Sequence, residues 1–279
     1  MTSSPTPDPL AVCEAAARAG GAVLREWAGR FAVSRKGPRD LVTEADYAAQ
    51  REIRRVVLEA FPDHGFVGEE SEDGRPRPAS GELGHSGTGT RWIVDPLDGT
   101  TNYVHGFPAY CVSVGLARDD EILVGVIYDP LRDECFSARR GGGAFLDGRP
   151  IRAADVRDPG DAVVAVGFPA HVERDSPAVA DFLAVVPRVQ SIRRTGSTAL
   201  NLAYIACGRL HAFWVRRIAC WDVAAGIVIA REAGAVVVPF RRPLGTAGDG
   251  PAPIPLDDPA LVAASTPALA AALRALLPE

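Results

Sequence analysis

The first third of the chain carries apolar residues at helical spacing, interrupted by short strand-like runs. Apolar side chains recur at every third or fourth position over residues 8–28, which predicts an amphipathic helix. Thr43 precedes a second such pattern, from Glu44 to about Phe61, which Pro62 ends. Short apolar runs predict strands at Phe31–Ser34 and Phe66–Val67. Residues 72–90 are rich in Gly, Ser, Pro and Thr without periodicity and predict a mobile loop.

The middle of the chain is dominated by strand-like patterns. Four runs predict strands: Tyr110–Ala117, Ile122–Tyr128, Cys135–Ala138 and Ala144–Leu146. Asp119-Asp120 forms the first predicted hairpin turn, and Asp129-Pro130 lies near the second. The triplet Gly141-Gly142-Gly143 matches no complete phosphate-binding loop, so we interpret it as a turn.

From about residue 152 onward, predicted strands and helices alternate. The strands are Ala162–Val166, Ser191–Arg194, Leu210–Val215, Ala235–Pro239 and Leu261–Ala264. The helices are Ser176–Val186, a segment from Gly196-Ser197-Thr198 to Cys207, Trp221–Ala233, and a last one opened by Thr266-Pro267. The change of pattern near 152–160 marks either a domain boundary or a change of layer.

Composition and charge exclude several classes of protein. With 47% hydrophobic residues, the 279-residue chain can bury a sizeable core. The net charge of −5 is spread without a basic stripe or polybasic block, so neither a nucleic acid nor a membrane is a predicted partner. We therefore expect a cytoplasmic protein. Five scattered cysteines in apolar segments predict free buried thiols rather than a disulfide framework.

The use of basic residues is strongly biased. Of the 30 basic residues, 29 are Arg, and Lys36 is the single Lys. An ammonium group is a compact point charge that a planar guanidinium does not replace. Lys36 stands four residues before Asp40, where either chance or a requirement for such a charge could place it.

The strongest candidates for functional residues lie where the strand-like run Trp92–Val94 is followed by Asp95 and Asp98. Pro96 restricts the backbone between the two aspartates and donates no hydrogen bond. Two carboxylates held close together repel each other unless a cation lies between them. A cluster with only oxygen ligands selects a hard cation, Mg²⁺ or Mn²⁺, over zinc. An ordinary surface turn is the alternative interpretation of this segment alone.

The next residues add features of a phosphate site. Gly99-Thr100-Thr101-Asn102 reads as a tight turn that opens a helix, with the Thr and Asn side chains as candidate caps. Gly99 allows close approach of the backbone, and free N–H groups at a helix start attract anions. Metal and phosphate could therefore meet at this turn.

Four separated segments resemble the inositol monophosphatase family of metal-dependent phosphatases. They are Asp40–Asp46, Gly68–Ser71, the run Asp95-Pro96-Leu97-Asp98-Gly99-Thr100-Thr101-Asn102-Tyr103, and Trp221–Ala235. They occur in the family's order and span most of the chain. The resemblance implies alternating layers of helices and sheets, an αβαβα sandwich of the α/β (α+β layered) class, with residues 1–279 as one catalytic domain and a subdivision near 152–160 left open.

The resemblance also implies a ligand set. Glu69, Asp95, the Leu97 carbonyl and the Thr100 hydroxyl would hold one Mg²⁺, and Asp95, Asp98 and Asp222 a second. A weaker third ion near Glu69 and a lysine at position 36 beside the metal site are further implications, as are Li⁺ inhibition and a homodimer. Asp222 alone would be interpreted as a helix cap, as would Asp46.

Catalytic and substrate roles follow from the same resemblance. Thr100, oriented by Asp46, would help to deprotonate the attacking water. Glu69 would also be a catalytic residue. The N–H groups of Gly99 and Thr100 would bind phosphate. Gly196, Ser197 and Thr198 would contact the alcohol. Val215 departs from the family, because inositol-cleaving relatives place a glutamate there.

The predicted function is a Mg²⁺-dependent phosphomonoesterase for a small phosphorylated alcohol, most readily myo-inositol monophosphate with broad specificity. Alternative substrates are histidinol phosphate, fructose 1,6-bisphosphate and 3′-phosphoadenosine 5′-phosphate. A second anionic group could be bound near Arg216 or Arg217. A different class of hypothesis is a regulatory binding protein without catalysis.

Overall fold

The computed structural model describes residues 7–37, 40–71, 89–240 and 253–278. These ranges contain a two-stranded hairpin, a seven-stranded sheet, a five-stranded sheet and seven α-helices. The helices are α1 (Pro9–Trp27), α2 (Glu44–Ala60), α3 (Thr100–Val104), α4 (Pro177–Val185), α5 (Thr198–Ala206), α6 (Cys220–Glu232) and α7 (Pro267–Leu276). Residues 72–88 of the predicted mobile loop lie outside the described ranges.

The hairpin and the seven-stranded sheet come from the first half of the chain. The hairpin pairs β1 (Val33–Gly37) with β2 (Asp40–Thr43). The sheet has the sequential order β3 (Gly65–Gly68), β4 (Thr90–Asp98), β5 (Cys111–Arg118), β6 (Glu121–Asp129), β7 (Glu134–Arg139), β8 (Ala144–Leu146) and β9 (Arg149–Pro150). The pair β3–β4 is parallel and the others are antiparallel.

The second half forms the five-stranded sheet. Its strands are β10 (Val163–Val166), β11 (Ser191–Arg193), β12 (Ala212–Val215), β13 (Val236–Pro239) and β14 (Leu261–Ala264), in the spatial order β11-β10-β12-β14-β13. Strands β10, β11 and β12 are parallel, so their carboxyl ends meet at one edge of the sheet. Between residues 150 and 163 the chain passes from one sheet to the other, which explains the change of pattern near 152–160.

The layers follow from strands that are apolar on both faces. On β12, Ala212 and Trp214 face one core while Phe213 and Val215 face the other. Side chains two residues apart share a face of a strand, so this alternation buries both faces of the sheet. Helices α4 and α7 cover one face, and α5 and α6 lie between the two sheets. Helices α1 and α2 cover the outer face of the seven-stranded sheet, which confirms the predicted αβαβα layering.

Helix α6 packs against the seven-stranded sheet at backbone distance. A Cβ built on Gly125 of β6 would lie 2.6 Å from the carbonyl oxygen of Ala225 and 2.8 Å from its Cα. Only glycine permits this approach, because any side chain at position 125 would displace the helix or the strand. The contact lies three residues from Asp222, so the position of the helix start depends on it.

Most predicted elements occur within a few residues of their expected bounds, with two omissions and one error. The sequence did not indicate β2 or β9. The strand predicted to end at Val94 continues to Asp98, with a shift of register between Asp95 and Asp98 on its pairing with β5. The aspartates therefore sit within an irregular strand rather than after it. No helix in the described ranges is long and apolar enough to span a bilayer.

A histidine in the five-stranded sheet gives stability a pH dependence. The Val163 N–H donates to Nδ1 of His211 over 2.9 Å, a bond that needs an unprotonated Nδ1. Burial lowers the pKa of His211. A lowered folded pKa gives stability that is complete above the unfolded value of about 6.5 and is lost as the pH falls through the folded pKa.

We expect the wild-type melting temperature to fall more steeply between pH 7 and pH 5 than that of His211→Asn. The asparagine oxygen accepts the same bond without titrating in this range. Thermal unfolding of both proteins at several pH values checks this, and parallel curves would contradict the role of His211.

Candidate active site

The irregularity in β4 places two aspartates on one side of the strand end. Asp95 pairs with Ser113 and Asp98 with Cys111, so three steps on β4 oppose two on β5. One extra residue of this kind forms a bulge that redirects side chains. Both carboxylates are buried, with 1% and 6% of their residue surface exposed. The Leu97 N–H donates to Oδ1 of Asp95 over 2.9 Å and fixes its orientation.

Asp222 reaches the same place from the start of α6. One carboxylate oxygen from each of Asp95, Asp98 and Asp222 lies within 4.8 Å of the others. Asp222 also accepts the Ala219 N–H over 3.2 Å, so the helix-cap role and membership of the cluster coexist. The structure thus brings together three of the predicted metal ligands, the first and last of which are 127 residues apart in the sequence (222 − 95).

The electrostatics of this cluster fit a cation. Burial raises the pKa of Asp95 and Asp222 well above the usual range, and neighbouring carboxylates raise both further. Burial also raises the pKa of Asp98 to about 6, although hydrogen bonds from Ser197, Ala199 and Thr198 oppose the rise. Three acids that resist ionisation together are a site in which a hard divalent cation would replace protons.

Thr100 and Asp46 form a hydrogen-bonded pair beside the cluster. The Thr100 hydroxyl lies 3.2 Å from Oδ1 of Asp46 and 3.1 Å from the Leu97 carbonyl oxygen. The other oxygen, Oδ2, accepts bonds from the N–H and hydroxyl of Thr43 at 2.8 and 2.6 Å. Asp46 therefore caps α2 with one oxygen and orients Thr100 with the other. Burial raises the pKa of Asp46 to about 6.

The turn between Asp98 and α3 requires glycine. Gly99 has φ +101°, a region that side chains disfavour, and a Cβ there would lie 2.8 Å from the Ala109 carbonyl oxygen. The expectation of a side-chain cap was wrong, since no side chain caps α3. Asn102 instead donates to the carbonyl oxygens of Ala109 and Thr195, at 2.6 and 2.8 Å, and so joins this turn to the segment before α5.

The predicted supporting lysine lies between two glutamates. Nζ of Lys36 donates to Glu69 over 2.8 Å and to Glu70 over 2.6 Å. Burial alone would lower the pKa of Lys36, but the two negative charges outweigh it and the net shift is upward. Glu70 is the more buried acid, and Gln50 holds its backbone through two hydrogen bonds of 2.6 and 2.9 Å. The sequence motif contained Glu70 but gave it no role.

Glu69 lies at the end of β3, near the aspartates. Its N–H donates to the Val94 carbonyl oxygen over 3.0 Å, which sets the end of β3 beside the bulge of β4. Its negative charge contributes to the raised pKa of Asp95. The metal-ligand role of Glu69 stays a prediction.

Replacing Lys36 by arginine should lower turnover about tenfold, at the lower end of the range for residues that support metal ligands. The planar guanidinium cannot occupy the space between Glu69 and Glu70 in the same geometry, although it keeps the charge. Steady-state kinetics at saturating metal measures this effect. The matched control is Arg35→Lys, an exposed position on the same strand. Equal losses in both variants would assign no special role to Lys36.

The predicted substrate pocket differs from expectation in one respect. Val215 is 2% exposed, and its Cγ2 would lie 2.9 Å from a Cβ on Gly167. Arg216 binds both oxygens of Asp181 at 2.6 and 2.7 Å and donates to the Pro278 carbonyl oxygen. Its guanidinium is therefore already paired, which favours Arg217 over Arg216 for the predicted second anion. Arg217 is exposed.

Gly196 and Ser197 precede α5 and Thr198 begins it, and the start of this helix contacts Asp98. The Ser197 hydroxyl donates to Oδ2 of Asp98 over 2.7 Å, and the Ala199 N–H donates to the same oxygen over 2.6 Å. The Cys111 thiol lies 3.6 Å from the Ser197 hydroxyl. Nothing in the sequence indicated that Cys111 belongs to this neighbourhood, because it is an ordinary apolar position of a strand.

Comparison with known proteins agrees with this geometry. A sequence model described as the inositol monophosphatase family matches residues 7–279. A Rhizobium meliloti protein named inositol-1-monophosphatase is 42% identical over 225 residues, covering 79% of this chain and 81% of the relative. An Aquifex aeolicus protein named fructose-1,6-bisphosphatase/inositol-1-monophosphatase is 37% identical over 242 residues, covering 85% and 87%. The crystal structure of extragenic suppressor protein suhB from Bartonella henselae has a TM-score of 0.83 and 36% identity, covering 96% and 98%.

Proposed function

Since the chain belongs to the inositol monophosphatase family, we propose that it is a Mg²⁺-dependent phosphomonoesterase of broad specificity, with myo-inositol monophosphate among its substrates. Two of its relatives are named as phosphatases. The observation that carries the proposal for this chain is the buried cluster of Asp95, Asp98 and Asp222. A hydrogen-bonded Thr100 and Asp46 beside it supply a route for a proton.

The residues present fit two or three Mg²⁺ ions, with Mn²⁺ as an alternative. The proposed ligands are Glu69, Asp95, Asp98 and Asp222 through carboxylates, Leu97 through its carbonyl and Thr100 through its hydroxyl. All are oxygen donors of the type that these cations prefer. When bound, such cations neutralise the negative charge of the phosphate oxygens.

The chain's own groups position the phosphate and move a proton. We place phosphate oxygens at the N–H groups of Gly99 and Thr100. A water attacks phosphorus, a new P–O bond forms, and the bond to the alcohol oxygen breaks. The water's proton passes to the Thr100 hydroxyl oxygen while the hydroxyl proton passes to Asp46, 3.2 Å away. The leaving alcohol oxygen takes a proton from a solvent water, and Asp46 gives its own proton to the hydroxide that this leaves, so the charges balance.

Specificity in this proposal follows from what the pocket lacks. Val215 offers no acceptor to ring hydroxyls, and sites that lack such acceptors discriminate weakly for hydroxyls. Phosphorylated alcohols of different shapes should therefore be hydrolysed at similar rates. Histidinol phosphate, fructose 1,6-bisphosphate and 3′-phosphoadenosine 5′-phosphate remain candidate substrates beside inositol monophosphate.

Arg217 is the group best placed for a second anion on the substrate. It follows β12, whose carboxyl end lies beside those of β10 and β11. Ligands of open α/β sheets bind outside the carboxyl ends of parallel strands. Arg217 is exposed there, five residues before Asp222 (222 − 217).

The test is phosphate release from inositol 1-phosphate, glycerol 2-phosphate, fructose 1,6-bisphosphate and 3′-phosphoadenosine 5′-phosphate, with and without Mg²⁺. We expect Mg²⁺-dependent release from all four. Arg217→Ala should lower kcat/KM about tenfold for the two substrates with a second phosphate, the effect of one lost charged hydrogen bond. It should leave kcat/KM for the other two substrates unchanged. The control Arg149→Ala, on the exposed strand β9 at the far edge of the seven-stranded sheet, should leave kcat/KM unchanged for all four.

Two results would overturn parts of this proposal. Absence of phosphate release from every substrate, with metal bound, would favour the regulatory binding protein instead. A preference for inositol 1-phosphate by orders of magnitude would overturn broad specificity. Inhibition by Li⁺, implied by the family resemblance, is measured in the same assay.

The proposed assembly is a cytoplasmic homodimer. Two exposed apolar side chains, Phe107 at 54% and Leu131 at 48%, are compatible with a covered surface. Arg132 joins their loops by donating to the Pro108 carbonyl oxygen over 3.0 Å. Light scattering on the purified protein measures the mass directly, and a monomer at micromolar concentration would reject the dimer.

A further inference from the structure

We propose that Ser197 is a positioning residue of the metal site, which fixes the orientation of Asp98. This inference rests on the proposed metal-dependent function. Ser197 is 1% exposed, and its hydroxyl points at Oδ2 of Asp98 over 2.7 Å. A hydroxyl buried in this way and bonded to a carboxylate has little remaining capacity to bind a substrate.

The hydrogen bonds leave the two oxygens of Asp98 in different states. Oδ2 accepts both the Ser197 hydroxyl and the Ala199 N–H, at 2.7 and 2.6 Å. A carboxylate oxygen has about two lone-pair positions, so these donors saturate Oδ2. Oδ1, which accepts neither of these two bonds, would then be the oxygen of Asp98 available to a cation held together with Asp95 and Asp222. Partners of this type orient ligands and raise the affinity of a site for metal.

The surroundings reinforce a single orientation. Asp98 comes from the end of β4, whereas Ser197 and Ala199 come from the start of α5. The N-terminal dipole of α5 favours the negative charge of Asp98 at this place. Asn102 fixes the segment before Ser197 through the Thr195 carbonyl oxygen at 2.8 Å. The Ser197 hydroxyl, which orients Asp98, is therefore held in place by α5 and by Asn102 of α3.

Ser197 also caps α5, and the two roles use different parts of the hydroxyl. Its oxygen accepts the Leu200 N–H over 3.3 Å, which is the capping bond. Its proton goes to Asp98, which is the positioning bond. Glycine at an N-cap preserves much of a serine's capping effect but has no hydroxyl. Ser197→Gly therefore removes the positioning bond more selectively than Ser197→Ala does.

Thr266 provides a matched control for loss of a cap. It caps α7 by accepting the Leu269 N–H over 3.2 Å, and it also donates to the Val156 carbonyl oxygen. Helix α7 packs on the far face of the five-stranded sheet, away from Asp98. Thr266→Ala should lower the melting temperature and leave metal affinity unchanged.

The experiment titrates the folded proteins with two metals. Binding of Mn²⁺ is measured from the electron paramagnetic resonance signal of free Mn²⁺, and binding of Mg²⁺ by calorimetry. We expect Ser197→Ala and Ser197→Gly to weaken metal binding 10- to 100-fold, the range for lost supporting bonds. Ser197→Thr should restore it, because the hydroxyl returns. At saturating metal, KM for substrate should change less than metal affinity does.

Metal affinity in Ser197→Gly within threefold of wild type would overturn the proposal, as would equal weakening in Thr266→Ala. If Ser197→Ala does not fold, Ser197→Gly and Ser197→Thr still decide the matter. The measurement needs no substrate, so absence of phosphatase activity would reject the proposed function without affecting this result. Strong metal binding in all variants would reject the positioning role while leaving the phosphatase intact.

Discussion

Asp95→Asn should abolish metal-dependent phosphate release while the protein stays folded. Asp95 is 1% exposed and belongs to the three-carboxylate cluster, so the substitution removes charge and almost no volume. A bound cation contributes several kcal/mol to transition-state stabilisation, and about 4 kcal/mol corresponds to a loss of about 10³-fold. Asp222→Asn should act in the same way.

In the absence of metal, the same substitution should raise the stability of the folded protein. The folded-state pKa of Asp95 is raised, so its contribution to stability is present below the unfolded pKa of about 3.9 and is lost as the pH rises through the folded value. Near neutral pH the metal-free wild type carries this electrostatic cost. Asp95→Asn without metal should therefore melt at a higher temperature than wild type.

Turnover at saturating Mg²⁺ and melting curves in a chelator measure the two effects. The control is Asp129→Asn, a fully buried aspartate outside the three-carboxylate cluster that accepts the Leu131 and Arg132 N–H groups at 2.9 and 3.1 Å. It should lose stability and keep activity. A folded Asp95→Asn protein with unchanged turnover would refute the metal centre.

Thr100→Val and Asp46→Asn should each lower kcat by 10²- to 10⁴-fold, the usual contribution of a positioned acid or base. The two groups form one proton route through the 3.2 Å contact between Oγ1 and Oδ1. Groups that act as a unit give non-additive losses. The double variant should therefore be little worse than the more damaged single variant.

Thr100→Ser is the conservative control, because it retains the hydroxyl. It should keep most of the activity. Fully additive losses in the double variant, measured at saturating substrate and metal, would show that the two side chains act separately.

Local patterns predicted the elements better than they predicted contacts between them. Helices α2, α5 and α7 begin where Thr43, Ser197 and Thr266 cap them, because capping is a local interaction that a sequence carries directly. The sequence did not indicate strand β2, because its four residues directly precede α2 and resemble a loop that leads into that helix. The extension of β4 through Asp98 was missed because a bulge depends on the partner strand.

The residues of the candidate site show the same difference between local patterns, which the sequence reveals, and contacts between elements, which it does not. The sequence and its resemblance indicated Asp95, Asp98 and Asp222, and the fold brings their oxygens together. The pairing of Arg216 with Asp181 was invisible, since it joins the end of β12 to α4 across 35 residues. The bond from Ser197 to Asp98 was equally hidden, because a serine at a helix start has a sufficient local explanation as a cap.

The contact of Gly125 with α6 has a consequence for how this chain can diverge. A methyl group at position 125 meets the Ala225 carbonyl oxygen, so the helix that carries Asp222 would have to move. A displacement of about 1 Å at a reacting group can cost about 10²-fold in rate. Selection on catalysis should therefore restrict position 125 to glycine in active lineages, in addition to the constraint that the packing of α6 on β6 already imposes.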